Sequence, residues 1–288
     1  MDARRIVVHG LLIRVLEEDG GGRGDPIVLI HALGGWAENW RAVMAPLAAT
    51  GRRVIALDLP GFGESERPKR VRYFGPDEAF YPAFVLAAME ALGIERAHVA
   101  GNSMGGAVAF MTAVTAPPRV SSLVLVAPGG LGRDVAFFLR ACALPGFGLL
   151  ARLPHGRDAA HGVLRSGFHD PTRITPELYD EAIRYGEPSF PEFVRALAAG
   201  VGIRGVRRSV RDAWISRAPQ YGGPALIVWG REDRVLPVAH LDELRDVLAR
   251  AEVHVIERCG HIAMAERPEE FLRVTLPFLA RAEQAVAA

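Results

Sequence analysis

Six short runs of aliphatic and β-branched residues recur along this chain, at 26–30, 53–57, 97–100, 123–126, 225–229 and 252–256. A strand with one wet face alternates apolar and polar side chains. An unbroken apolar run such as Ile27-Val28-Leu29-Ile30 suits a strand covered on both faces. Between the runs, 38–49, 77–92, 104–115, 238–250 and 268–281 carry helical periodicity. Strands alternating with helices of this length predict an α/β fold built on a mostly parallel, doubly wound sheet. Residues 4–16 read as two further strands meeting near His9-Gly10.

One interval breaks the rhythm. The stretch from 130 to 217 is far longer than an ordinary connection and carries helical stretches at 133–143 and 176–186. It reads as a helical cap inserted into a core domain made of 1–129 and 218–288. With 288 residues the chain is long enough to bury a large core, and its 50% hydrophobic content excludes wholesale disorder. A formal net charge of +1 leaves no basic excess for nucleic acid. No stretch is long and apolar enough for a membrane span, and the N-terminal apolar run is too short for a secretory signal, so a cytoplasmic protein is expected. Cys142 and Cys259 adjoin no metal-ligand spacing and read as reduced, buried thiols. No metal and no cofactor is expected, and the oligomeric state is not legible.

The sharpest chemical signal is Gly101-Asn102-Ser103-Met104-Gly105, where a strand runs into a helix. A tight strand-to-helix turn needs small residues two places either side of the serine. It lifts the hydroxyl above the sheet beside free helix N–H groups. A serine nucleophile needs a base, and the base needs an orienting acid. Asp233 follows the run ending at Trp229, and His261 follows the run ending near Ile256. Both therefore fall at strand carboxyl ends, where open parallel sheets gather their ligands. Glu232 is the rival acid, but Asp233 fits the loop spacing better. After the first buried run comes His31-Ala32-Leu33-Gly34-Gly35-Trp36. Its glycines let the backbone turn inward, so that Leu33 and Met104 supply two N–H groups to an oxyanion.

At this point the chain resembles an α/β-hydrolase from His31 to about Leu279, and Asp58-Leu59-Pro60-Gly61-Phe62-Gly63 resembles the turn such enzymes carry after their next strand. The resemblance implies Ser103 as nucleophile, His261 as base, Asp233 as its partner, and Leu33 with Met104 as the oxyanion hole. Asp58 is read as structural. One departure is Ala32, where the family usually has Gly; its methyl group is tolerable where φ stays negative.

Within the family, 101–106 and Ala127-Pro128-Gly129-Gly130 resemble the meta-cleavage-product hydrolases, which split carbon–carbon bonds in dienoates. Asn39 and Asn102 match polar positions of that group. Two departures count against it. The group carries Trp after the catalytic histidine, where this chain has Ile262, and a cap arginine for the substrate carboxylate, where this chain aligns Ala182. Arg173 and Arg184 are the possible substitutes, but a bidentate clamp is geometrically demanding. A carboxylesterase of small to medium acyl esters is therefore favoured, with the carbon–carbon hydrolase as the alternative. A lyase or a ligand receptor on the same fold is a lesser reading, since mere binding needs no triad. The partner expected is a small-molecule ester or related carbonyl compound. His31, Gly34, Asn39, Asn102, Phe138 and Ile262 are the expected substrate contacts. Phe137, Phe147, Leu149, Leu150 and Phe168 are further candidates for an acyl pocket, the arginines between 204 and 211 read as a solvated face, and Met264 reads as packing.

Overall fold

A computed structural model describes residues 1–22, 24–69, 80–150 and 156–287. Eight strands form one sheet: β1 (Asp2–Val8), β2 (Leu11–Asp19), β3 (Ile27–Ile30), β4 (Arg53–Leu57), β5 (Ala97–Asn102), β6 (Val120–Val126), β9 (Ala225–Gly230) and β10 (Glu252–Ile256). A separate two-stranded ribbon pairs β7 (Val201–Gly202) with β8 (Gly205–Val206). The large sheet has the order β1-β2-β4-β3-β5-β6-β9-β10, with β1–β2 and β2–β4 antiparallel and every other pair parallel. All six runs read from the sequence are strands. Five of them (β3, β4, β5, β6 and β9) lie inside the sheet, and β10 forms its far edge. The β1–β2 turn places His9 (φ 49°) and Gly10 (φ 77°) in the left-handed region, as a two-residue hairpin requires.

Helices cover both faces. On one side α1 (Arg41–Ala48), α11 (Ala263–Glu266) and α12 (Pro268–Ala287) bury Val43, Met44, Leu47, Met264, Phe271 and Phe278. On the other, α2 (Phe80–Ala91), α3 (Met104–Thr115) and α10 (His240–Val247) bury Phe84, Val108, Phe110 and Leu244. Met264 is a packing residue, as read. The expected start of α2 at 77–79 lies outside the described residues.

Between β6 and β9 lie α4 (Phe137–Cys142), α5 (Phe147–Leu150), α6 (Gly156–Ser166), α7 (Pro176–Glu181), α8 (Glu187–Gly200), β7, β8 and α9 (Arg208–Arg217). Residues 133–136, expected as helix, are not helical. A π-helical segment, Ala182–Gly186, joins α7 to α8 without a break. Pro188 and Pro191 have no N–H to give the carbonyls four residues back, and a locally wider helix is one answer to such a gap. This region is tied to the sheet domain by buried polar contacts. Glu181 accepts from Trp36 Nε1 (3.0 Å) and from Arg41 (2.5 Å). The Tyr185 hydroxyl accepts from Arg14 (3.2 Å), whose guanidinium is held by Glu38 (2.8 and 2.7 Å) and Asp58 (2.6 Å). Burial works against that charge, but the two carboxylates outweigh it and hold the Arg14 pKa above its usual value. Asp58 also accepts from the Ala37 and Glu64 N–H groups, a structural role. Of the arginines read as a solvated face, Arg204, Arg207 and Arg208 are exposed, Arg207 also bonding the Ala198 carbonyl, whereas Arg211 is half-buried and bonds the Leu131 carbonyl and Glu243.

Candidate active site

Ser103 sits between β5 and α3 with φ 55° and ψ −118°, a conformation that L-residues rarely adopt. The flanking glycines make it feasible. A Cβ on Gly101 would strike the Gly105 carbonyl, and one on Gly105 would strike the Ile30 carbonyl of β3. Two backbone bonds fix the turn against β6 and the loop after it: Ser103 N–H to Val126 O (2.9 Å), and Gly129 N–H to Ser103 O (2.8 Å). The hydroxyl therefore stands at the start of α3, where the helix dipole and free N–H groups favour negative charge.

Asp233 follows β9 and His261 follows β10. His261 Nδ1 lies 2.7 Å from Asp233 Oδ2. Asp233 Oδ1 accepts from the Val235 (2.8 Å) and Leu236 (2.9 Å) N–H groups, so the carboxylate is fixed at both oxygens. An ionised Asp233 keeps the proton on Nδ1 and leaves the Nε2 lone pair free. The rival, Glu232, instead accepts from Cys259 N–H (2.9 Å) and braces the loop that carries His261.

The loop after β3 turns at Gly34 (φ 75°), where a Cβ would meet Phe193 Cδ2 at 2.8 Å. Ala32 keeps a negative φ, so its methyl group causes no strain. The Leu33 and Met104 N–H groups donate to no backbone acceptor among the described residues.

Ser103, Met104, Leu33 and His261 line a single cavity of about 280 Å³. Its wall is mostly apolar, drawn from Val135, Phe138, Leu139, Leu164, Phe190 and Leu236 among others. Among the described residues no lysine or arginine lines it. Ala182 does, and so does Ile262. Arg184 is turned to Glu64 (2.8 Å) over the Tyr185 ring, and Arg173 reaches the Glu266 carbonyl.

Of the expected substrate contacts, Gly34, Asn39, Phe138 and Ile262 line the cavity, whereas His31 and Asn102 do not. Their side-chain nitrogens are spent on backbone, and Asn102 Oδ1 is buried with no hydrogen-bond partner among the described residues. His31 is fully buried, its Nδ1 2.7 Å from Ala32 O while its Nε2 accepts from Leu59 N–H (3.0 Å). Burial pushes its pKa down, which suits an imidazole that must accept. Asn102 Nδ2 donates to Val126 O (3.1 Å) and His261 O (3.0 Å), joining the serine turn to the histidine loop. Among the aromatic and aliphatic candidates, Phe137 and Leu149 are exposed, Phe168 is buried beside Leu164 and Ile174, and Phe147 packs on the core. The Leu150 side chain lies outside the described part.

One contributor escaped the sequence reading. Glu266, buried at the end of α11, accepts from the Gly260 (2.7 Å), His169 (3.0 Å) and Asp170 (2.7 Å) N–H groups. It clamps the His261 loop to the region between α6 and α7. No motif marks such a role, because its partners are backbone atoms.

A family model described as the alpha/beta hydrolase fold matches residues 25–268. The dihydrolipoyllysine-residue acetyltransferase component of the acetoin cleaving system of Pseudomonas putida is 35% identical over 273 residues, covering 94% of this chain and 68% of that protein. The 2-hydroxymuconate semialdehyde hydrolase of Pseudomonas sp. strain CF600 is 34% identical over 293 residues, covering 98% and 95%. Among solved structures, a bacterial membrane phospholipase A superposes with a TM-score of 0.77 at 28% identity, covering 98% of this chain and 86% of its own.

Proposed function

The chain belongs to the α/β-hydrolase fold family, and from that premise we propose that it is a serine esterase of small to medium, uncharged acyl esters. The observation that carries this reading is the cavity wall: it joins Ser103 and His261 and, among the described residues, holds no cation to grip a carboxylate. In this reading His261 Nε2 takes the Ser103 proton, and Asp233 holds the imidazole in the tautomer that can do so. The serine oxygen attacks the ester carbonyl. The Leu33 and Met104 N–H groups receive the oxyanion, assisted by the dipole of α3. His261 then protonates the departing alcohol, and water, activated by the same base, hydrolyses the acyl-enzyme. Residues 130–217 act as the cap that walls the acyl chain from water. The likeness to a phospholipase supports ester chemistry on this scaffold.

A second reading, cleavage of a carbon–carbon bond in a dienoate, is favoured by the name of the 2-hydroxymuconate semialdehyde relative. Such a substrate brings a carboxylate. Ala182 and Ile262 occupy the positions where the resemblance implies an arginine and a tryptophan. The test is a panel of p-nitrophenyl esters of rising chain length beside a dienoate ring-fission product. Ester turnover is expected, lost in Ser103→Ala with the fold intact by circular dichroism. Turnover of the dienoate alone would replace the first reading by the second, and unchanged ester turnover in Ser103→Ala would sink both.

A further inference from the structure

The side of α8 that faces the cavity presents Glu187, Phe190, Phe193, Ala196, Leu197 and Gly200, just after Gly186 of the π-helical segment. These residues recur at helical spacing, so they form one stripe. The rest of the stripe is apolar or small, and Glu187 is the only carboxylate on the cavity wall among the described residues. Two ordinary explanations for a glutamate there fail. It does not cap a helix start, because the backbone enters α8 already helical: Gly186 has φ −68° and ψ −48°, continuous with the π-helical segment before it. It is not half of an ion pair either. Arg184, one turn back, pairs with Glu64, and Arg195, further along α8, pairs with Glu192. Among the described residues the Glu187 carboxylate has no charged partner.

We propose that Glu187 is a charge-selecting subsite of this cavity, which admits esters with a neutral or ammonium-bearing arm and rejects those with a carboxylate-bearing arm. The inference rests on the esterase reading and deepens it. An anionic substrate would meet a like charge on a mostly apolar wall, with no guanidinium among the described lining residues to offset it; Glu187 is half-buried, so solvent screens the charge only in part. An ammonium group would find the counter-charge that the wall otherwise lacks.

The test uses p-nitrophenyl hexanoate and two analogues carrying, at the far end of the acyl chain, a carboxylate or a trimethylammonium. A second series sets the same charges on the alcohol of a hexanoyl ester, so that either orientation is read. In the native enzyme, kcat/KM for the ammonium ester should exceed that for the carboxylate ester by about a hundredfold in at least one series, roughly tenfold for each sign of charge. Glu187→Gln should cut that ratio at least tenfold, and Glu187→Asp should retain most of it. A merely structural role would move all esters together and leave the ratio alone. A native enzyme that does not prefer the ammonium ester overturns the proposal without any variant. So does a ratio unchanged within twofold in Glu187→Gln. Failure to hydrolyse even the neutral ester is a different result: it removes the esterase reading, and the subsite with it.

Discussion

Asp233 has little freedom. One oxygen holds two backbone N–H groups and the other holds the imidazole of His261. Asp233→Asn therefore separates geometry from charge. The amide oxygen can still serve Val235 and Leu236, but its NH2 group faces Nδ1 and forces the proton onto Nε2, where a base needs a lone pair. We expect kcat on a p-nitrophenyl ester to fall by about 10⁴-fold, with the melting temperature nearly unchanged. A fall of less than tenfold would remove Asp233 from the proposed mechanism. The side chains of this site were legible in the sequence because each follows a strand end, and a strand end can be read from an apolar run. His31 and Asn102 were not, although they lie next to motif residues. Leu59, which donates to His31, is 28 residues away, and the His261 carbonyl that Asn102 bonds is 159 residues away. Whether a polar side chain faces a ligand or a distant backbone atom depends on the packing of elements that no local pattern specifies.

At the scale of elements, the sheet was readable and the region between β6 and β9 was less so. Strands buried on both faces have only one acceptable composition, and β4 matches its expected bounds; β10 matches its bounds too, although as the edge strand it is only half-buried. The inserted helices have mixed faces and interior prolines, so their periodicity is broken where their structure is not: α8 runs through Pro191. What holds this region over the site is also non-local. Glu266 supplies one carboxylate to three N–H groups, from Gly260 beside His261 and from His169 and Asp170 in the insertion. Glu266→Ala would leave the buried Gly260 donor and the part-buried His169 and Asp170 donors unmet. The expected loss is on the order of 4 kcal/mol of unfolding free energy, with a smaller loss in Glu266→Gln, which keeps one good acceptor. Urea denaturation of the two variants measures both. An alanine variant within about 1 kcal/mol of the native protein would mean that water already serves these groups.

Over the whole molecule, the buried titratable groups set how stability depends on pH. His31, His98 and His240 lie in three separate places: under the loop after β3, at the start of β5, and on α10. Burial lowers the pKa of each below the ordinary 6.5, and for His98 the nearby Arg52 adds to the effect. The folded protein therefore refuses protons that the unfolded chain accepts once the pH drops below 6.5. Stability is complete above that value and is lost as the pH falls beneath it. Each such histidine changes the unfolding free energy by at most about 1.4 kcal/mol per pH unit, so the three together give a slope of up to about 4 kcal/mol per unit. Glu181 and Glu192 act in the opposite sense. Burial raises their pKa above 4.5, so the folded state takes up their protons first and regains stability as the pH falls through those raised values. The histidine window opens at 6.5, and the carboxylate window closes at 4.5. Between pH 7.5 and pH 5.5 the histidines should dominate, with a drop of about 2 to 4 kcal/mol in the urea-unfolding free energy. Replacing His98 by an apolar residue of similar size should flatten the curve by one proton's worth of slope, even where the replacement costs stability at pH 7.5. A profile already flat from 7.5 to 5.5 in the native protein would show that these imidazoles gain protons without unfolding, contrary to the burial that surrounds them.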